Sequence, residues 1–476
     1  MTGAEGCFRE RAGTALKDTQ LRANFRRAMD GLMDKRAEQF SDVNEWERLR
    51  GLGESIRRRA LARLPDLLEQ LERNCTANGI SVHWAETVEQ ANETVLEILQ
   101  RRGAKRVVKG KSMVSEEMHL NDYLGRHGIT ALEADLGEYI VQMAGETPSH
   151  LIMPAIHKNR GQIARLFKDN IENYDYTEDP VEMTAVARSQ LRREFQDADA
   201  GLSGVNFAVA ETGTLCLVEN EGNGRMVTTV PPVHIAVTGI EKVVEKLEDV
   251  PPLLSLLTRS ATGQPITTYF NMITSPRKEG ERDGPEEVHL ILLDNGRSRI
   301  HADAETRRTL QCIRCGACMN HCPVYTRVGG HAYGGVYPGP IGKILTPQIE
   351  GMRVFGDLPE ASSLCNACVE VCPVRIPIAQ VLVRLRDEAA GHCPRPTVKE
   401  SGARKSVMED LVWTGWKWMH RSPAAYRMMT GLLAKAGNLA PSGAPLLRQW
   451  TSARTKPRFA GKTLHQMVRE KGLADE

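Results

Sequence analysis

Aromatic residues are scarce in this chain of 476 residues, at 5%, and neither sign of charge dominates: 62 Lys and Arg stand against 60 Asp and Glu. A net charge of +2 gives no electrostatic reason to expect nucleic acid or an acidic surface as partner. Long apolar runs are missing as well. No stretch approaches the ~18 residues of a membrane-spanning helix, and the opening MTGAEGCFRERAG lacks the apolar core of a secretory signal. A cytoplasmic protein is the resulting expectation. Glycine fingerprints for nucleotides are absent too. Gly110, Lys111 and Ser112 invite a Walker loop, but Lys105 stands where its first glycine belongs, and no GxGxxG follows a strand. Lys111 and Ser112 remain candidates to hold an anion at a helix start, beside the plainer reading of a strand-to-helix turn.

What the chain does have is cysteine in two runs. Seven of its 11 cysteines lie in CIRCGACMNHCP (312–323) and CNACVEVCP (365–373), leaving Cys7, Cys75, Cys216 and Cys393 scattered, as reduced thiols of a reducing compartment would be. Cys312, Cys315, Cys318 and Cys322 with Pro323 follow the bacterial ferredoxin spacing, in which three thiols of one tight loop reach one cluster and the fourth ligates the other. The second run, Cys365, Cys368 and Cys372 with Pro373, repeats the first with Ser362 in the place of Cys312. The spacing therefore assigns Cys312, Cys315, Cys318 and Cys372 to one iron-sulfur cluster and Cys322, Cys365 and Cys368 to a second. Zinc, the alternative for four thiols, is ordinarily held by two CxxC pairs and does not explain the triplets.

The rest of the chain divides into four segments: a helical segment at 1–75, an α/β domain at 76–296, a helical cluster domain at 297–393, and a linker with a helical tail at 394–476. Asp42 and Glu45 have capping-box spacing, Pro65 opens a helix with an apolar stripe of Leu67, Leu68 and Leu71, and the basic run Arg57, Arg58, Arg59 reads as a solvated face. From 80 to 156, ISVHWA, RVVKG, ITALEAD and HLIMPAI read as strands. Between them stand helices capped by Thr87, spanning EEMHLNDYLGRHG, and over GEYIVQMAG, which argues for a parallel sheet with helical crossovers. Residues 204–240 are strand-rich, with NEGNGR turning a hairpin through Gly222 and Gly224. Glu211 and Glu219 there suit acid-base or acyl-transfer work as a buried pair, or are ordinary sheet-edge residues. Cys216 reads as packing. EVHLILLDNG closes the α/β domain, so a chain ending near Asn295 is expected to fold without iron.

GGHAYGGVYPGPIGKILTP (329–347) reads as a shaped loop able to bring N–H groups to cluster sulfurs, with His331, Tyr333 and Tyr337 as redox partners, ligands or packing. Pro377 opens a helix carrying Ile378, Val381, Leu382 and Leu385 that ends at Gly391. Trp413, Trp416, Trp418, Met419, Met428 and Met429, interleaved with Lys417, His420, Arg421 and Arg427, form either a core stripe or a docking surface for a partner or membrane interface.

Both cysteine runs, GGHAYGGVYPGPIG, and ETGTLCLVENEGNGRMVTTVPP together resemble the lactate-utilisation protein B family over nearly the whole chain. The resemblance implies an α/β domain of the LUD type, similar to sugar isomerases and CoA transferases with a mixed sheet flanked by helices, followed by an all-α helical ferredoxin domain. It implies two 4Fe-4S clusters that relay electrons during oxidation of L-lactate to pyruvate, two sister proteins as partners, and an unidentified electron acceptor. The family pattern also uses three cysteines for the second cluster, which implies a non-thiolate ligand at one iron and conversion to a 3Fe-4S form on oxidation. Ser362 and Cys393 are the candidate fourth ligands. The alternative function is an enzyme whose α/β domain performs its own acyl or CoA transfer, with the clusters in a redox or structural role.

Overall fold

The computed structural model describes residues 6–391, 407–441, 443–444, 451 and 455–472. The linker at 394–405 and Cys393 lie outside them. The chain forms two compact units that divide between Ala403 and Arg404.

Four helices open the first unit: α1 Phe8–Ala15, α2 Thr19–Gln39, α3 Val43–Ala62 and α4 Leu64–Ala77. Their starts follow from local chemistry. Asp42 accepts the N–H groups of Asn44 and Glu45 at the head of α3, and Pro65 stands in the first turn of α4, where its missing N–H costs nothing. Leu67, Leu68 and Leu71 bury the inner face of α4.

A six-stranded sheet follows, built from β1 Ser81–Ala85, β2 Arg106–Lys109, β3 Thr130–Glu133, β4 Ala200–Gly204, β7 Val233–Gly239 and β10 Glu287–Leu293 in the order β1-β10-β7-β4-β2-β3. Every pairing in it is parallel. The parallel pairing read from the strand-helix alternation holds, and the mixed pairing that the resemblance implies is confined to a second sheet of β5 Phe207–Val209, β6 Thr214–Glu219, β8 Val243–Val244 and β9 Tyr269–Ile273, in the order β8-β5-β6-β9. The two central strands β4 and β7 are buried along their whole length, as a sheet covered on both faces requires.

Several local expectations fail for identifiable reasons. HLIMPAI is no strand: the segment turns on itself, with Ile152 and Met153 donating their N–H groups to His150 Nδ1 (2.9 and 3.2 Å). EEMHLNDYLGRHG breaks at His119, whose φ of 49° ends the helix Met113–Glu117 and starts Leu120–Arg126. NEGNGR turns no hairpin. Gly222, at φ 84°, starts the helix Asn223–Thr229, and Glu219 accepts the N–H groups of Gly222, Gly224 and Arg225 at that helix's head, so β6 pairs with β9 instead. Much of the glycine-rich stretch is helical too, over Gly339–Glu350, with Pro340 in the first turn. There Gly342 lies so close to the Tyr337 carbonyl that a Cβ would sit 1.6 Å from its oxygen. Arg57 lies on no solvated face. At 1% exposure it donates to the carbonyls of Glu241, Val243 (2.8 Å), Leu310 and Gln311, while Arg58 stays outside and Arg59 pairs with Glu245 and Asp249.

Among the described residues of 297–391 there are helices and 3-10 turns and no strand. This segment shares its core with what precedes it. Phe25 and Met29 of α2, Leu67 of α4, Phe207 and Leu215 of the second sheet, and Tyr325, Tyr333, Leu345 and Leu382 belong to one continuous cluster of buried apolar residues. The expectation of a closed domain ending near Asn295 thus meets a core that continues across that point.

The second unit contains helices Val407–Arg421, Pro423–Ala436 and Leu464–Glu470. Trp413, Trp416 and Trp418 are more than half exposed, and the Trp416, His420 and Tyr426 rings stack in a row. No helix among the described residues is long and apolar enough to cross a membrane.

Candidate metal centre

The two cysteine runs adopt one backbone design twice. In the first, Arg314 (φ 60°) and Gly316 (φ 84°) bracket Cys315 and lead into the helix Ala317–Asn320; in the second, Leu364 (φ 53°) and Asn366 (φ 65°) bracket Cys365 and lead into Ala367–Glu370. Left-handed angles at non-glycine residues cost energy and persist where the surroundings dictate them. Here they curl each loop so that its thiols converge.

Every cysteine among the described residues is a free thiol. Cys312, Cys315, Cys322 and Cys372 are buried, Cys318 and Cys368 half-buried, and Cys365 exposed. Burial, then Cys312, then Cys372 push the Cys315 thiol far above its ordinary range, and burial with Cys315 and Cys312 does the same to Cys318, which also feels Cys368. The Cys372 thiol rises to about 11, through burial and Cys312. Burial and the neighbouring Cys322 and Cys365 push Cys368 up to about 12. Cys365 alone is lowered, first by its hydrogen bond from Ser363. Cys315 thus feels Cys312 and Cys372, Cys318 feels Cys315, Cys312, Cys368 and Cys372, and Cys368 feels Cys322 and Cys365, so the two runs lie against each other. Such crowded thiols cannot ionise together unless cationic metal shares the space, and an all-sulfur donor set in this loop is what iron-sulfur clusters take.

Donors already aim at the sulfurs. Arg314 N–H points at Cys312 Sγ (3.4 Å), Ile376 N–H at Cys372 Sγ (3.3 Å), and Lys343 Nζ lies 3.4 Å from Cys322 Sγ. The first two come from the cysteine loops themselves. The glycine-rich stretch, expected to supply backbone N–H groups, contributes the Lys343 ammonium. Ser362 lines the same small hollow as Cys322, Cys365, Cys368 and Lys343, with its hydroxyl accepting from Leu364 N–H (3.2 Å).

Behind the first group runs a buried charge network that no motif announces. Glu117 accepts from both terminal nitrogens of Arg297 (2.9 and 2.8 Å), from Tyr337 Oη (2.7 Å) and from Asn295 Nδ2 (2.6 Å). Arg297 Nε donates to Glu241 (2.7 Å), which also accepts from Arg314 (3.2 Å). Burial alone would raise the Glu241 carboxyl; Arg297, Arg314 and Lys242 overcome it and hold the group at about 2. Arg314 further stacks over the Tyr337 ring, 4.8 Å from its centroid. Paired buried charges of this kind are retained where geometry is fixed on both sides. They tie the α/β domain to the loop that carries Cys312 and Cys315.

Of the remaining candidates, Tyr337 is in this network, and Tyr333 packs edge-on against Phe8 in the neighbourhood of Cys322. Tyr325, which the sequence did not single out, donates from Oη to the Ser149 carbonyl (2.7 Å). His331 bonds through Nε2 to the Thr147 carbonyl (2.7 Å). Glu211 is exposed and accepts from Leu247 N–H, and Glu219 caps a helix, so the two form no buried pair. Cys216 is packing, fully buried beside Leu215.

Comparison with known proteins places these parts in one frame. The LUD domain model matches residues 68–293, a 4Fe-4S dicluster domain model residues 308–376, and the model named Lactate utilisation protein B, C-terminal, residues 384–473. Lactate utilization protein B of Bacillus cereus (strain AH820) and of Bacillus thuringiensis (strain Al Hakam) are each 42% identical over 460 residues, covering 95% of this chain and 95% of theirs. Among solved structures, a DUF162 family protein from Deinococcus radiodurans, 15% identical, aligns over 48% of this chain and 98% of its own with a TM-score of 0.28, too weak a likeness to bear on the fold.

Proposed function

The chain belongs to the lactate utilization protein B family, and from that premise we propose that it is the electron-transfer subunit of a system oxidising L-lactate to pyruvate, working with two sister proteins. The observation that carries this reading is that two loops of one backbone design bring seven thiols together, with Cys312, Cys315, Cys322 and Cys372 buried and Cys365 at the surface. Cys312, Cys315, Cys318 and Cys372 would hold one 4Fe-4S cluster, and Cys322, Cys365 and Cys368 a second with Ser362 beside its open position. Bound there, the clusters supply one-electron transfer.

The chain's own residues set the conditions for that traffic. N–H groups of Arg314 and Ile376 aim at sulfurs of the first group, and hydrogen bonds to sulfur favour the more negative, reduced state. Lys343 brings a cation to the second. Proximity of Cys318 to Cys368 supports passage between the groups. The Cys365 edge is the side open to a partner.

The test is turnover. The anaerobically purified chain is expected to be brown, to bleach with dithionite, to show no flavin absorbance, and to leave L-lactate untouched until its two sister proteins are added. Lactate oxidation by the chain alone would overturn the subunit reading in favour of an enzyme. Oxidised samples are expected to give a three-iron EPR signal reversed by ferrous iron and reductant, in wild type and in Cys393→Ala alike.

A further inference from the structure

In the six-stranded sheet, β2 and β4 lie side by side, yet the chain leaves them in opposite directions, β2 toward β3 and β4 toward β7. Open parallel sheets bind ligands in the crevice at the carboxyl ends of strands where the winding reverses, because the diverging connections leave a gap lined by strand ends. Here Gly110, Lys111 and Ser112 after β2, and Val205 and Asn206 after β4, line a cavity of about 280 Å³. That is close to the lower end of small-molecule sites, about 300 Å³. Arg314, Cys315 and Tyr337 of the cluster segment line it as well.

Three basic side chains face this space: Lys111, Arg314, and Lys242, whose ammonium burial and then Arg314 depress to about 7, so that an anion beside it would restore its charge. Lys242 is 7% exposed and Arg314 8%. Lys111 Nζ and Arg314 Nη1 are buried and have no hydrogen-bond partner. Three acids line the cavity too, but each is engaged with backbone: Asp135 with Glu138 N–H, Glu221 with Leu136 N–H, and Glu219 with three N–H groups of the helix it caps. Idle groups in this wall are therefore donors on cations, and burying such donors unmet is costly. An anionic acceptor is the missing complement. Arg314 and Lys242 also face Cys312, so a bound cluster answers part of their charge. Lys111 is different: it acts on Glu138, whose two carboxylate oxygens are likewise buried without a partner and whose carboxyl burial raises toward the neutral form, and on Glu221 and His150, and it bonds to none of them.

We propose that this cavity binds a small organic carboxylate, its anionic end held by Lys111, Lys242 and Arg314 next to Cys315. The site stands on these side chains; that its occupant is the lactate or pyruvate of the system rests on the electron-transfer reading above. The test is calorimetric titration of the cluster-loaded full chain, under anaerobic conditions, with L-lactate, pyruvate, the uncharged analogue L-lactamide, and inorganic phosphate. Expected is saturable binding of lactate or pyruvate and none of lactamide. Lys111→Met should weaken it by about tenfold, the worth of one charge-assisted hydrogen bond, and Lys111→Arg should restore most of it, with cluster absorbance and EPR of the unliganded variants unchanged. No saturable binding to the wild type, an unaltered affinity in Lys111→Met, or equal binding of phosphate overturns the proposal. Binding that follows this pattern without lactate oxidation in the presence of the sister proteins leaves the site standing and removes the electron-transfer reading. Oxidation without binding does the reverse.

Discussion

Arg57 links three parts of the chain from a single buried position. Its guanidinium reaches carbonyls at Glu241, just before the second sheet's β8, and at Val243 within it, and at Leu310 and Gln311, which precede the first cysteine. Burial lowers the group to about 10 in spite of Glu241 and Cys312, so it remains a cation at neutral pH. Arg57→Met leaves these four buried carbonyls without their donor and is expected to cost about 3–5 kcal/mol, read as a lower urea midpoint at unchanged slope. Arg58→Met, on the exposed side, should change stability by less than about 0.5 kcal/mol. A second prediction at this scale concerns Cys372. Its thiol is raised by Cys312 across a long loop, so Cys372→Ser is expected to alter the iron content and spectrum of the cluster held mainly by the first run. Loss confined to the cluster of Cys365 and Cys368 would show that the ligands do not cross.

Among the elements, the turn at 149–156 does what a strand there could not. His150 accepts from Ile152 and Met153 N–H at Nδ1, leaving Nε2–H to donate to Asn320 Oδ1 (3.0 Å), while Asn320 Nδ2 donates to the Ala261 carbonyl (2.9 Å). The α/β domain is thereby bonded to the helix Ala317–Asn320, which carries Cys318. Burial depresses His150 from 6.5 to about 4, and a proton on Nδ1 would break two of these bonds. A depressed histidine contributes stability that is intact above its unfolded value and is lost as pH falls from 6.5 through 4, here up to about 3 kcal/mol. His150→Asn is expected to lower stability at pH 7 yet flatten its decline across that window, by about 1.4 kcal/mol per pH unit. Parallel pH profiles for the two proteins would show that His150 does not titrate in this way.

At the scale of the whole molecule, one core joins the α/β domain to the cysteine segment. Phe25 meets Tyr325 with ring centroids 5.5 Å apart, Phe8 meets Tyr333 at 5.3 Å, and Arg297 of the charge network lies just beyond Asn295. A chain ending at Asn295 would expose the faces of α1 and α2 that pack on the later segment and leave Glu117 and Glu241 buried without Arg297. Aggregation, or dye binding with loss of near-ultraviolet dichroism, is the expected result. A cooperative melt of that truncated chain would show that the sequence reading of a self-sufficient domain is correct.

The sequence by itself determined what short-range chemistry dictates. Thiol spacing of three residues fixes which sulfurs share a loop, Asp42 and Pro65 mark helix starts, and the stripe of Ile378, Val381, Leu382 and Leu385 fixes the buried face of Ile378–Ala389. These relations span a turn or two of backbone, so the residues carry them wherever the segment lies. Tertiary structure alone decided the rest. NEGNGR has the residues of a hairpin and of a helix start equally, and β9, distant in sequence, took the place beside β6. Arg57 and Arg58 are chemically identical members of one basic run, and packing turned the first inward beside the buried Ile56 and Ala60. Glu117, Glu241, Arg297 and Arg314 carry no motif because their meaning is mutual: each is tolerable in the core only where the others compensate its charge. The cavity at Lys111 arises in the same way, from strand ends brought together by a sheet order that the sequence does not spell out.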